Sequence, residues 1–185
     1  MSMTSIISPI RPLLLIAALL LSACGGGGGG GVSTPASPGL PGVAFLVDDP
    51  IEGVAYTCGT STGLTGQDGS FNYDYQSKCK FKIGNLVIGE NINIATDGLV
   101  TPYELAGLTT RDQTSDSVSS IARVLQSLAD PNSPTGRIRI PESARAFLST
   151  AQEFKLLNSD GSSKTESELS DIATQAGKTL VSREV

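Results

Sequence analysis

Residues 25 to 31 are seven consecutive glycines, and the next eleven, Val32 to Gly42, hold three prolines and two more glycines. A polyglycine run has no side chains to bury and loses more backbone entropy on ordering than any other sequence. Residues 24–42 are therefore expected to form a disordered, flexible Gly/Pro-rich tether, and any packed fold is confined to the chain beyond it. A phosphate-cradling loop would need a Lys-Ser/Thr pair between a strand and a helix, and neither the pair nor its flanks are present.

Upstream of the glycines, Leu13 to Leu21 is an unbroken apolar run, preceded by Arg11 and followed by Ser22, Ala23 and Cys24. It is far shorter than the roughly 20 residues that span a bilayer as a helix. Its length and its small-residue flank mark residues 1–23 as a signal peptide. Leu21-Ser22-Ala23-Cys24 resembles the bacterial lipobox. The resemblance implies cleavage before Cys24, a diacylglycerol on its sulfur and an acyl chain, such as palmitate, on the new amino group. Several acyl chains anchor a protein stably where one is marginal. An ordinary secretory peptide with an incidental cysteine is the alternative. In Gram-negative lipoproteins an Asp after the cysteine is the usual inner-membrane signal. Gly25 stands there instead, so the resemblance implies the outer membrane, on its periplasmic or surface face.

Removing the first 23 of 185 residues leaves 162, enough for one domain or two small ones. Loss of Arg11 takes the formal charge from −5 to −6. An acidic chain argues against nucleic acid and against electrostatic attraction to anionic lipid. The expected partners are the membrane, through the lipid, and a protein or glycan whose identity the sequence leaves open.

With Cys24 acylated, Cys58 and Cys79 remain, an even number in an oxidising compartment. Side chains two apart share a strand face. Cys58 falls in phase with Val54 and Tyr56, and Cys79 with Phe81 and Ile83. A Cys58–Cys79 disulfide is expected, with two reduced, buried cysteines as the alternative. A metal site on the two thiols lacks a histidine partner, because the chain has no His.

From residue 43 to about 95 the pattern is β: apolar runs at Val43–Val47 and Ile51–Cys58, a turn-rich stretch from Gly59 to Gly69, alternation over Ser70–Tyr75 and Lys78–Ile83, and a short run at Leu86–Ile88. Asp68-Gly69 and Gly84-Asn85 are turn dipeptides. Residues 96–185 read as mainly helical. Thr101-Pro102-Tyr103-Glu104 carries a capping box with proline at the first helical position. Val118, Ile121, Ala122, Leu125 and Leu128 line one face of a helix over Ser117–Ala129. Arg137–Ile140 reads as a brief strand, and Ala144, Phe147, Leu148 and Ala151 as the inner face of another helix. Thr165-Glu166-Ser167-Glu168 repeats the capping box before Leu169, Ile172, Ala173 and Ala176, with Gly177 as a stop. Ser182 to Val185 looks like a helix opening, which suggests either a frayed end or a truncated longer chain. The fold class expected is α+β: a small antiparallel β-sandwich or meander followed by short helices.

Gly53-Val54-Ala55-Tyr56, Gly63-Leu64-Thr65 and Asp68-Gly69-Ser70-Phe71-Asn72-Tyr73 resemble the carboxypeptidase-regulatory-like β modules of exported proteins. Phe81 to Gly89, Thr101 to Leu105 and Ile121 to Leu128 resemble a set of poorly characterised Gram-negative surface and secreted proteins. Together these cover about residues 51–140. The resemblance implies an extracytoplasmic β module followed by helices, and it carries no activity or cofactor.

Without histidine, Ser-His-Asp and Cys-His nucleophile systems are excluded. Ser77 and Lys80 have an S-x-x-K spacing, but on a strand positions three apart face opposite ways. Asp48 with Asp49, and Glu166 with Glu168, suit solvation and helix capping better than acid-base work. Asn158-Ser159-Asp160-Gly161 has oxygen ligands and a turn glycine for calcium but lacks the terminal glutamate of a full loop. No metal site, cofactor or catalytic residue is therefore expected. Phe71, Tyr73 and Tyr75 form a same-face aromatic stripe, expected to be core in a chain with nine aromatic residues and no Trp. If exposed it would be a ligand face for sugar rings or a partner protein. The function expected is a non-catalytic, lipid-anchored binding, adhesion or structural module of the envelope. The alternatives are the N-terminal spacer of a larger secreted enzyme, or a carbohydrate-binding module.

Overall fold

The structure, a computed structural model, describes residues 41–183. The signal peptide, Cys24, the tether up to residue 40 and the last two residues lie outside the described residues. From Val43 onward the sequence alternates or clusters apolar residues in runs of four to six, and the backbone follows these runs as strands. They are β1 Pro41–Leu46, β2 Ile51–Glu52, β3 Ala55–Cys58, β4 Ser61–Leu64, β5 Ser70–Asp74, β6 Cys79–Ile83 and β7 Leu86–Ile92. Three more strands, β8 Leu99–Val100, β9 Ile138–Arg139 and β10 Phe154–Lys155, are spread among the helices α1 Pro102–Leu105, α2 Asp116–Leu128, α3 Glu142–Leu148 and α4 Glu166–Gln175. The class is α+β, with open sheets.

The strands form a sheet ordered β5-β1-β8, a five-stranded sheet ordered β10-β7-β6-β3-β4, and the pair β2-β9. Neighbours from the first half of the chain run antiparallel. β8, β9 and β10 each join in parallel, to β1, β2 and β7. The expected antiparallel β module forms, and three strands from beyond residue 95 extend it into mixed sheets. The change of periodicity near residue 95 marks composition and not a boundary between bodies, since strands from beyond it complete all three sheets. Residues 41–183 fall within one compact unit.

The expected single strand over Ile51–Cys58 is two, because Gly53 turns the chain at φ 85°. Thr65, 3% exposed, plugs the kink. Its hydroxyl donates to the Ile51 carbonyl at 2.6 Å and accepts from the Val54 N–H at 3.0 Å. Part of the expected turn region, Ser61–Leu64, is a strand. Its side chains are mostly exposed, so no apolar alternation marks it. β7 runs past Gly89, where a Cβ would lie 2.6 Å from Leu105 Cδ2, and so α1 packs directly on that strand. The register of β6 and β7 slips twice between Cys79 and Lys82. Asn91 opposite takes φ 58°.

Both capping boxes form: the Glu104 carboxylate accepts from the Thr101 N–H, and that of Glu168 from the Thr165 N–H. α2 buries Ile121, Val124, Leu125 and Leu128 completely. Each such side chain contributes about 1.5–3 kcal/mol by leaving water. They belong to the same hydrophobic core as Leu46, Phe81, Ile83 and Leu86 from the sheets. Phe147 is 53% exposed, contrary to its expected inward position; α3 is only seven residues long and buries Ala144 and Leu148. Ser182 and Arg183 are not helical.

Candidate functional site

Cys58 and Cys79 stand opposite one another on β3 and β6, in register, with Cα atoms 4.2 Å apart and their sulfurs bonded. Both are at most 1% exposed. The pairing follows from the phase of each strand: Tyr56 and Phe81, two residues further along, are the next in-phase partners and are buried too. A bridge sealed inside the core is a brace, not an exchangeable redox centre.

The aromatic stripe does not survive as one face. Phe71 is 3% exposed and packs edge-on to Phe81, ring centroids 5.1 Å apart. Tyr73 is half-buried, its ring lying where a Cβ on Gly42 would come within 2.6 Å. Tyr75 falls after β5 ends at Asp74 and is 61% exposed. The strand stops there because the buried Asp74 carboxylate is drawn across to the β3–β4 turn. It accepts from the Thr60 N–H and hydroxyl and from the Ser61 hydroxyl. Those bonds hold its carboxyl below the usual aspartate value. The three rings therefore make no flat platform for a sugar.

The remaining candidates are occupied internally. Lys80 and Lys82 both donate to Glu153, at 2.5 and 2.7 Å, and Lys155 pairs with Glu90. Lys80 is thus turned away from any role as base for Ser77. Glu166 receives both guanidinium ends of Arg123, and Glu168 caps α4. Asp160 accepts from the Ser162 N–H and hydroxyl, and Asn158 donates to Ser162 and Ser163, so this loop spends its oxygens on its own turn. Among the described residues no group of three or more His, Cys, Asp or Glu is placed to hold a metal ion. Among them, too, no helix is long and apolar enough to cross a membrane.

Two clefts are lined by residues of α2. The wider, about 420 Å³, lies beside Arg123 between α2 and the start of α4. Its charges are matched within the chain: Arg123 with Glu166, Lys164 with Glu168, Arg183 with Asp116. The second is a slot of about 230 Å³ between the β1–β2 turn, the start of α1 and the outer flank of α2. Val47, Pro102, Tyr103, Val118 and Ala122 form its walls, with Asp48 and Arg111 at its edges. The Arg111 guanidinium is committed to Asp97, Glu104 and the Leu99 carbonyl. Asp48 lines the slot, is exposed, and has no ion-pair partner among the described residues. Its carboxyl is pushed above the ordinary aspartate value by desolvation and by Asp49, against a hydrogen bond from Gln126.

Sequence reasoning missed this slot. Val118 and Ala122 were legible as one turn of an apolar helix face. That they stay half-buried, facing Asp48 from 70 residues upstream, depends on the tertiary arrangement. Comparison with known proteins found no matching family model, no matching curated relative and no matching solved structure.

Proposed function

We propose that this chain is a lipid-anchored protein of the bacterial envelope, acylated on Cys24 and held at the outer membrane, whose folded part acts as a non-catalytic binding module. The buried Cys58–Cys79 disulfide is the observation that carries the reading, because such bridges persist in oxidising compartments and a cytosolic chain would keep its thiols reduced. It agrees with the lipobox resemblance, which assigns the third cysteine to the lipid and leaves an even pair. Glu104, Glu153, Glu166 and Glu168, with Lys80 and Lys82, are engaged in caps and ion pairs, which supports a scaffold for binding over a reaction centre at those positions. β1 takes Pro41 and Gly42 from the expected tether, and the Gly/Pro-rich sequence before them supports a spacer between the lipid and the module.

Expression in a Gram-negative host with an alkyne-tagged fatty acid tests this. The expected result is label on the wild-type protein and none on Cys24→Ala, with the labelled protein in the outer-membrane fraction. Unlabelled wild-type protein overturns the anchor, and a labelled protein in the inner membrane overturns its placement.

A further inference from the structure

The slot between the β1–β2 turn and α2 offers apolar walls to a stem and a carboxylate without a counter-charge to its tip. We propose that it binds a lysine side chain presented by a partner polypeptide, with the ammonium on Asp48 and the methylenes against Tyr103, Val118 and Ala122. The inference rests on the reading of the chain as a binding module and names the chemistry of what it binds.

Size argues for a single side chain. Drug-sized ligands take pockets of about 300–1,000 Å³, and this one is about 230 Å³. Burying one side chain gives weak affinity by itself. The slot is therefore useful as the anchor point of a larger contact, where one fully seated residue dominates.

Charge argues for a cation. The groups facing Asp48 are Asp49, which repels a second negative charge, Gln126, which is neutral, and Arg111, whose guanidinium is held by Asp97 and Glu104. Asp48 thus lines the slot with no counter-charge among the described residues, and a bound ammonium supplies one. Tyr103, also in the lining, brings an aromatic ring to the slot.

Shape argues for lysine over arginine. The ammonium is a compact charge on an unbranched stem. A guanidinium brings five donors in a planar fork, and Asp48 is the one acidic side chain among the residues lining the slot.

The test is an NMR titration of the purified, ¹⁵N-labelled full-length protein with end-capped Gly-Lys-Gly. Capped Gly-norleucine-Gly, capped Gly-Arg-Gly and n-pentylammonium serve as comparisons. The expected result is saturable shifts at Asp48, Tyr103, Val118 and Ala122, with a dissociation constant on the order of 1–10 mM. Binding should weaken about tenfold with norleucine and in Asp48→Asn, and less severely with arginine. Ala122→Phe, which fills the slot and leaves Asp48 intact, should also abolish the shifts. Absence of saturable shifts with the lysine peptide, equal binding by norleucine or by Asp48→Asn, or binding of n-pentylammonium alone overturns the proposal. Because no arm involves acylation or location, failure here leaves the anchor untouched, and failure of the labelling experiment leaves the slot untouched.

Discussion

Arg123, 6% exposed in the middle of α2, grips the mostly exposed Glu166 at the start of α4 with both ends of its guanidinium, at 2.9 and 2.5 Å, and donates a third bond to the Val181 carbonyl. The two partners are unequal. Removing Glu166 leaves a cation that reaches water at its edge, whereas removing Arg123 empties a buried position that ties two segments to α2. Arg123→Ala is expected to lower the melting temperature by several degrees and Glu166→Gln by clearly less. Thermal melts of the two variants check this, and an equal or reversed order contradicts it.

Thr65 tests how the kink between β2 and β3 is held. Thr65→Val keeps the shape of the side chain but leaves the Ile51 carbonyl and the Val54 N–H without the hydroxyl that joins them. The expected loss is about 1–3 kcal/mol in urea unfolding. A variant as stable as wild type would show that the backbone bonds from Gly53 to Thr65 and from Thr65 to Val54 suffice.

The disulfide spans 21 positions in sequence. Closing a loop of that length constrains the unfolded chain, so the double variant Cys58→Ala/Cys79→Ala is expected to lose about 3 kcal/mol. Urea midpoints under non-reducing conditions measure it. Addition of reductant to wild type under native conditions is expected to act slowly, because the bridge is buried.

Glu153 provides a pH dependence. Hydrogen bonds from Lys80 and then Lys82 lower its carboxyl from 4.5 to about 2. A depressed folded-state value means that the group stabilises the fold above its unfolded value of 4.5, and that this contribution is lost as pH falls from 4.5 through about 2. Wild type should therefore destabilise more steeply than Glu153→Gln across that window. Added salt should narrow the difference, since all three side chains are partly exposed.

Much of this architecture could be read from local pattern. The apolar face of α2, the two capping boxes and the in-phase cysteines depend on residues within a few positions of one another. β4 escaped because Ser61 to Leu64 lies at a sheet edge and keeps its side chains in water, so burial left no alternation. β8 and β10, two residues each, are defined by partners more than 50 positions away and carry no signal of their own. Phe147 reads as buried because it is an aromatic at helical spacing, but α3 is too short to cover it. Of the site, the carboxylate and the helix face were each visible, and their meeting was not.

The late parallel strands set an order on assembly. Ile51 finds Ile138, and Leu86 finds Phe154, only after most of the chain exists. Until then β7 and β2 keep bare hydrogen-bonding edges, templates on which a second unfinished chain could pair. A fragment ending near residue 100 would be rich in strands yet poorly guarded against aggregation. The second half thus closes edges that the first half leaves open.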